Sequence, residues 1–145
     1  MVSDFLPKAM YRNISFSPDG SYVMVSEIQR PFSYLVPYTR FPYKEIIYDK
    51  SGKNLQTVNE VPLDEVRPKG FMATRTGKRN CSWRADKPSS LVYTEAQDGG
   101  DPETKVDYRD IMYELQAPFT GSGDQILKTI NRFSGITWGN DNTAV

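Results

Sequence analysis

Histidine is absent from the 145-residue chain, and cysteine occurs once, as Cys81. Without histidine, the chain by itself cannot form a Ser-His-Asp or Cys-His catalytic site, or a zinc site built on imidazole. A single cysteine excludes an internal disulfide. We therefore predict that this chain contributes no catalytic residue, no cofactor site and no metal site.

The chain also lacks net charge and long apolar runs. Its 18 basic residues balance 18 acidic residues, whereas a nucleic-acid-binding surface needs a clustered basic excess. No stretch of about 18 apolar residues occurs, and the first ten residues lack the basic and apolar regions of a signal peptide. We expect no nucleic-acid partner, no membrane partner and no signal peptide at this start.

Aromatic residues and turn formers are plentiful instead. Aromatics make up 12% of the chain, with nine tyrosines, and ten prolines and ten glycines are spread along it. Tyr, Val, Ile and Thr suit half-buried strands, and no helical periodicity persists over a long window. Short strand-like runs separated by turns therefore predict an all-β protein of single-domain length.

The predicted strands can be placed between the turn signals. They cover residues 22–29, 43–49, 54–58, 80–83, 91–96, 106–115 and 125–131, and a helix is an alternative for the last of these. Gly52 occupies the left-handed position of a hairpin turn at 50–53. Prolines interrupt 30–42 and 59–70, which we interpret as inserted loops.

Three stretches, opening at residues 14, 81 and 136, repeat one pattern. Each has a small polar residue, an aromatic residue, a turn with an aspartate, and then an apolar strand. The aromatics are Phe16, Trp83 and Trp138, and the turn aspartates are Asp19, Asp86 and Asp141. Each repeat is longer than the about 40 to 50 residues of a four-stranded propeller blade, and the inserted loops account for the excess. We predict a partial β-propeller of about two four-stranded antiparallel blades and the start of a third, with the three aromatics in the blade core.

The segment SFSPDGSYV is similar to the blade-opening motif of propellers in the prolyl oligopeptidase family. Longer stretches resemble the propeller region of the glutamyl endopeptidase branch of that family. They read SEIQRPFSYLVPYTRFP, SWRADKPSSLVYTEAQDGGDP, YRDIMYELQAPF and GITWGNDNTAV. The resemblance extends over residues 14–145.

This resemblance implies a larger protein. Such enzymes have an N-terminal propeller and a C-terminal α/β-hydrolase domain that carries the Ser, Asp and His of the catalytic triad. The chain, at 1–145, would then be a non-catalytic propeller fragment of a serine peptidase, and the hydrolase domain would lie outside it. We expect it to gate and help bind a peptide substrate, and to contact the hydrolase domain. The parent would be plastid-located if from a plant, and periplasmic or secreted if bacterial. The alternative is a free-standing propeller-like binding module without peptidase activity.

The resemblance also makes the loop at 30–42 the candidate substrate site. Cleavage after glutamate needs a positive charge near the substrate carboxylate, and an arginine provides a bidentate donor for it. Arg30 and Arg40 are the candidate cations, and Tyr34 and Tyr38 could add hydrogen bonds. A contact with the hydrolase domain and a purely structural loop remain as alternatives.

Other polar groups have structural interpretations. Ser17 and Ser21 lack a base and are predicted to shape a turn. Acidic residues at 98–107 do not match the spacing of a calcium loop, so we predict a solvated hairpin. Open sheet edges of a partial propeller could also pair with a second copy, giving an edge-mediated homodimer.

Overall fold

The computed structural model describes residues 4–140 and 142–145, so the turn residue Asp141 lies outside the described residues. The chain divides into two compact units, residues 1–65 and 66–145. Each unit is built on a four-stranded antiparallel sheet in which every strand pairs with its neighbour in sequence.

The first unit contains strands β1 to β4. They are β1 (Tyr11–Phe16), β2 (Tyr22–Ile28), β3 (Tyr43–Asp49) and β4 (Asn54–Val61). A short 3-10 helix, Tyr38–Arg40, interrupts the long connection between β2 and β3. The central pair β2–β3 keeps an unbroken register over the full length of both strands.

The second unit contains a four-stranded sheet and a separate hairpin. The sheet strands are β5 (Arg79–Trp83), β6 (Leu91–Ala96), β7 (Asp110–Leu115) and β8 (Asp124–Thr129). The hairpin consists of β9 (Trp138–Asn140) and β10 (Thr143–Ala144). None of the three sheets closes on itself.

The core of the first unit follows from the alternation of side chains along β2 and β3. Val23, Val25, Ile46 and Tyr48 share one face and form a buried cluster, because Val23 is opposite Tyr48 and Val25 is opposite Ile46. On the other face Met24 is also buried. Residues 23–25 of β2 are therefore buried on both faces of the sheet.

The first turn, between β1 and β2, confirms the structural interpretation of its serines. The Ser17 hydroxyl donates to Asp19 over 2.7 Å and accepts the N–H of Tyr22 over 3.0 Å. The same Asp19 carboxylate accepts the N–H of Ser21 over 3.0 Å. Gly20 has φ +67°, which favours glycine. These groups bond the backbone and each other, as Asp and Ser do in tight turns.

The structure confirms the all-β class and the antiparallel sheets of four, four and two strands. Residues 124–129 form β8, so the helical alternative for this region is wrong. β4 continues to Val61, because Val58 and Val61 are buried and Asn59 donates to Glu45 on β3 over 2.8 Å. Residues 59–61, predicted as the start of an inserted loop, therefore belong to a strand. The propeller itself stays a prediction.

The three repeat aromatics have different environments. Trp83 packs edge-on against Phe119 with ring centroids 5.7 Å apart. The Trp138 ring lies 4.0 Å from the Arg84 guanidinium. Phe16 is 67% exposed, so its predicted core position is wrong for this chain. Phe16 ends the edge strand β1, which has a strand neighbour on one side only.

Candidate functional site

The predicted substrate loop, residues 30–42, lies within the connection 29–42 that joins β2 to β3 at one end of the first sheet. Its backbone is anchored where the strands end, since the N–H of Gln29 donates to the carbonyl of Pro42 over 2.7 Å. The Arg30–Pro31 peptide bond is cis. This hydrogen bond thus holds the two ends of the loop together next to the sheet.

Arg30 is exposed at the start of this loop and rests on an aromatic pair. Its guanidinium lies 4.7 Å from the Phe32 ring centroid, and Phe32 stacks on Phe41 with centroids 5.5 Å apart. An arginine over an aromatic face is held by the ring quadrupole. Among the described residues, no carboxylate forms an ion pair with Arg30. Its charge is therefore positioned by Phe32 and available to a carboxylate in solution.

Arg40 has a different environment. Its guanidinium pairs with the buried carboxylate of Asp64 over 3.4 Å, and the N–H of Asp64 donates to the Arg40 carbonyl over 3.1 Å. The Arg40 side chain is 27% exposed. Arg40 therefore ties the loop to the segment after β4, and its charge is already balanced within the chain.

Tyr34 and Tyr38 are exposed residues of the same loop. Tyr34 is fully exposed, and Tyr38 is 61% exposed at the start of the 3-10 helix. The structure thus places the four predicted site residues on one loop. Arg30, Tyr34 and Tyr38 are exposed, whereas Arg40 contacts Asp64.

A cluster of charges at the β5–β6 turn was not predicted from the sequence. Arg84 is buried and binds Asp86 through two nitrogens, at 3.0 and 2.6 Å, and Glu114 on β7 at 2.9 Å. Its other side is covered by Trp138. The hydrogen bond from Arg84 is the main cause that lowers the pKa of Asp86 below its ordinary value. This cluster fixes the turn of SWRADKP and joins it to the β9–β10 hairpin.

A second buried cluster lies where β6 ends and β7 begins. The Asp98 carboxylate accepts from Arg109 over 2.8 Å, from Arg132 over 2.6 Å and from the N–H of Gly100 over 2.9 Å. Burial by itself raises the pKa of Asp98, but the bonds from Arg132 and Arg109 together outweigh burial and lower it. The prediction of a solvated hairpin is therefore wrong for Asp98, whose side chain is fully buried.

Arg132 extends this cluster to Asp110 at the start of β7. Its guanidinium contacts Asp110 over 2.8 Å and also donates to the carbonyl of Met72 over 3.0 Å. Asp110 also pairs with Arg79 and accepts the N–H of Phe133 over 2.7 Å. The only sequence signal for this cluster is the pair of aspartates that flank the loop, because Arg132 is remote in sequence from both.

The chemistry open to these groups is binding and support. Ser17 and Ser21 are bonded within their turn to Asp19, whose pKa the hydrogen bond from Ser17 lowers, so this carboxylate is a weak base. In residues 4–140 and 142–145, no three His, Cys, Asp or Glu side chains are grouped so that they could hold a metal ion. No helix of the described part of the chain has the length and apolar character needed to cross a membrane.

The geometry thus defines an all-β segment built from repeated antiparallel sheets, with buried ion clusters and an exposed aromatic loop. It is similar to two plant proteins named "Probable glutamyl endopeptidase, chloroplastic". One, from Oryza sativa subsp. japonica, is 40% identical over 141 residues, which are 96% of this chain and 15% of the relative. The other, from Arabidopsis thaliana, is 38% identical over 139 residues, which are 94% of this chain and 14% of the relative.

The chain therefore spans about one seventh of the length of the curated relatives it matches. No family model matches the chain. No solved structure matches it either. The likeness links the chain to a segment of proteins named as peptidases.

Proposed function

We propose that the chain is a non-catalytic segment of a glutamyl endopeptidase-like serine peptidase of the prolyl oligopeptidase family. In this proposal it forms part of an N-terminal β-propeller. The observation that carries the proposal is the identity of about 40% along nearly the whole chain, combined with the small share of each relative that it spans. The absence of histidine is consistent with it, because a Ser-His-Asp triad would have to lie elsewhere.

In the full-length protein this segment would restrict access to the active site and help to hold a peptide substrate. Loops on a rigid sheet commonly carry such binding residues. Both relatives are named chloroplastic, so we propose a plastid location for a plant parent. A bacterial parent would be periplasmic or secreted.

The proposal predicts that activity resides outside this chain. A full-length protein that contains it should hydrolyse a peptide after glutamate, and the purified 145-residue chain should not, because it has no histidine to complete a Ser-His-Asp triad. Release of a fluorogenic group from a Glu-containing peptide measures both. Hydrolysis by the pure chain, or none by the full-length protein, would refute the proposal.

A G-x-S-x-G motif followed by Asp and His downstream in the gene supports the peptidase, whereas a stop codon after residue 145 supports a free-standing binding module.

Within this function, Arg30 is the better candidate for binding the glutamate carboxylate. It is exposed and pairs with no described carboxylate, while Arg40 already pairs with Asp64. Tyr34 and Tyr38, both exposed on the same loop, could donate hydrogen bonds to the peptide. A hydrogen bond to a charged group contributes about 1.5 to 3 kcal/mol, which is roughly a 10- to 100-fold effect on rate.

Replacement of the two arginines in the full-length protein separates their roles. We expect Arg30→Gln to lower the preference for a Glu over a Gln peptide by roughly tenfold or more, measured as the ratio of kcat/KM values. Arg40→Gln is the matched control, and it should keep this preference while it lowers stability, because it removes the ion pair between Arg40 and the buried Asp64. An unchanged preference in the Arg30 variant would remove Arg30 from the site.

A further inference from the structure

A second arginine lies at the same end of the first sheet as Arg30. Arg12 is exposed on β1, and its guanidinium lies 3.8 Å from the centroid of the Tyr43 ring. The start of β1 pairs with the end of β2, so Arg12 is next to the point where the connection to β3 leaves the sheet. Arg12 was not predicted as a site residue, because it lies on a different element from the loop at 30–42.

An irregularity of β1 accounts for the direction of the Arg12 side chain. Two residue steps of β1, from Tyr11 to Asn13, are opposite a single step of β2, so Arg12 is the extra residue of a β-bulge. Bulges often redirect a side chain next to a functional site. The Arg12 side chain extends across β2 to Tyr43 on β3, and it also donates to the carbonyl of Thr39 over 3.5 Å.

Three aromatic rings connect the two arginines. Phe32 stacks on Phe41, whose backbone is extended, and the hydrogen bonds between β2 and β3 continue by one residue beyond both strands. Alternate residues of an extended chain share a face and are about 7 Å apart, which places Tyr43 beside Phe41. We name Phe32, Phe41 and Tyr43 the aromatic row. Arg30 contacts its first ring and Arg12 its last ring.

The carboxylates near this end of the first sheet have other partners. They are Glu27 with Gln29 at 2.9 Å, Glu45 with Asn59 at 2.8 Å, Glu60 with Lys44 at 3.1 Å, Asp64 with Arg40 at 3.4 Å and Glu65 with Ser33 at 2.5 Å. Within the described part of the chain, neither Arg12 nor Arg30 forms an ion pair. This end therefore carries two positive charges that are held in place by aromatic rings and are not balanced by a carboxylate.

We propose that Arg12 binds a second acidic side chain of the peptide substrate, so that this end of the sheet selects peptides with two carboxylates. Arg30 binds the glutamate at the cleavage site, and Arg12 binds an acidic residue near it in the peptide. The inference rests on the proposed function in one respect, namely that a peptide is the ligand of this loop.

The contacts of Arg12 suit this role. A guanidinium that lies on a ring uses its face for the aromatic contact and keeps the N–H groups of its edge for hydrogen bonds. Arg12 gives one of its five N–H groups to Thr39, and the others remain for a carboxylate. Because Tyr43 is buried in the sheet, the ring beneath the guanidinium is fixed before a peptide binds, and less conformational entropy is lost on binding.

Peptide binding to the full-length protein tests this inference. The probes are fluorescein-labelled, C-terminally amidated peptides with one fixed glutamate and either Glu or Gln at successive neighbouring positions. The peptide bond after the fixed glutamate is N-methylated, so that hydrolysis does not disturb the measurement. Fluorescence anisotropy gives the Kd of each peptide. At one or more positions we expect the Glu peptide to bind about threefold more tightly than the Gln peptide, as for an exposed ion pair.

Three variants assign this preference to Arg12. Arg12→Gln should abolish the ratio of the two Kd values and leave the Kd of the Gln peptide nearly unchanged, whereas Arg12→Lys should keep part of the ratio because it keeps the charge. Lys128→Gln is the matched control, since Lys128 is also an exposed cation over a ring, 5.2 Å from the centroid of Tyr108 in the second unit. It should leave the ratio unchanged.

Equal Kd values for the Glu and Gln peptides at every position, measured with the unaltered protein, overturn the inference. It is also overturned if Arg12→Gln weakens the binding of both peptides equally, because this result is expected when Arg12 only supports the loop through Thr39. Hydrolysis of the unmodified peptides is measured separately. An inactive protein with a ratio that depends on Arg12 refutes the proposed function and supports the inference, whereas an active protein without this ratio refutes the inference alone.

Discussion

Asp98 shows how a charge can be buried at low cost in this fold. Its side chain is fully buried, which alone would favour the neutral acid. Two guanidinium groups, from Arg109 and Arg132, and one backbone N–H supply hydrogen bonds to the charged form. The carboxylate therefore stays ionised and joins three segments of the second unit.

Replacing Asp98 should be costly and should change the response to acid. We expect Asp98→Asn to lower the free energy of unfolding by about 3 kcal/mol, because Arg132 is then left buried with one carboxylate instead of two. The pKa of Asp98 is lowered in the fold. The contribution of Asp98 to the free energy of unfolding is therefore present above the unfolded pKa of about 4, and it is lost as the pH falls through the lower pKa of the folded state. Urea titrations at several pH values measure both effects.

The exposed Asp107 is the matched control for this variant. Asp107→Asn should change stability by no more than about 0.5 kcal/mol, and it should leave the acid dependence intact. If the two variants were equally stable, Asp98 would have no special structural role.

At the scale of elements, the positions of most strands could be predicted from the sequence. Alternation and turn residues identified β3 and β6 at their exact limits, and Gly52 has the expected positive φ of +81°. These features depend on residues within a few positions of each other. Local sequence therefore contains the information that places them.

What could not be predicted depends on contacts between residues far apart in sequence. In the sequence, Asp98 precedes β7 and its partner Arg132 follows β8, so no local pattern links them. The candidate site has the same limit, because the sequence identified both Arg30 and Arg40 as candidate cations and did not distinguish between them. Only the fold shows that Asp64, which follows β4, pairs with Arg40.

The close approach of two loops in the second unit predicts a difference between two adjacent glycines. A Cβ on Gly100 would lie 2.1 Å from the carbonyl oxygen of Thr74, whereas a Cβ on Gly99 would meet nothing within 4 Å. Both have positive φ. Gly99→Ala should therefore cost only the left-handed strain of about 1 kcal/mol, and Gly100→Ala should cost roughly 2 kcal/mol more. Equal midpoints of urea unfolding for the two variants would contradict this packing.

At the scale of the whole molecule, each four-stranded sheet is regular in the middle and irregular at its borders. The central pairs β2–β3 and β6–β7 keep a continuous register. Every pair that includes an edge strand has a register shift. Bulges twist an edge strand and hinder its pairing with another chain. The homodimer through sheet edges stays a prediction, and this irregularity counts against it.

The contacts of Arg132 determine where the four-stranded sheet of the second unit can be separated from the rest of the chain. By its strands alone the four-stranded sheet ends at Thr129, yet Arg132 and Phe133 contact Asp110 inside it. A chimera that exchanged this sheet with that of a relative at the last strand would separate the arginine from its aspartates. The transferable module extends through Phe133, so its border lies in the following connection.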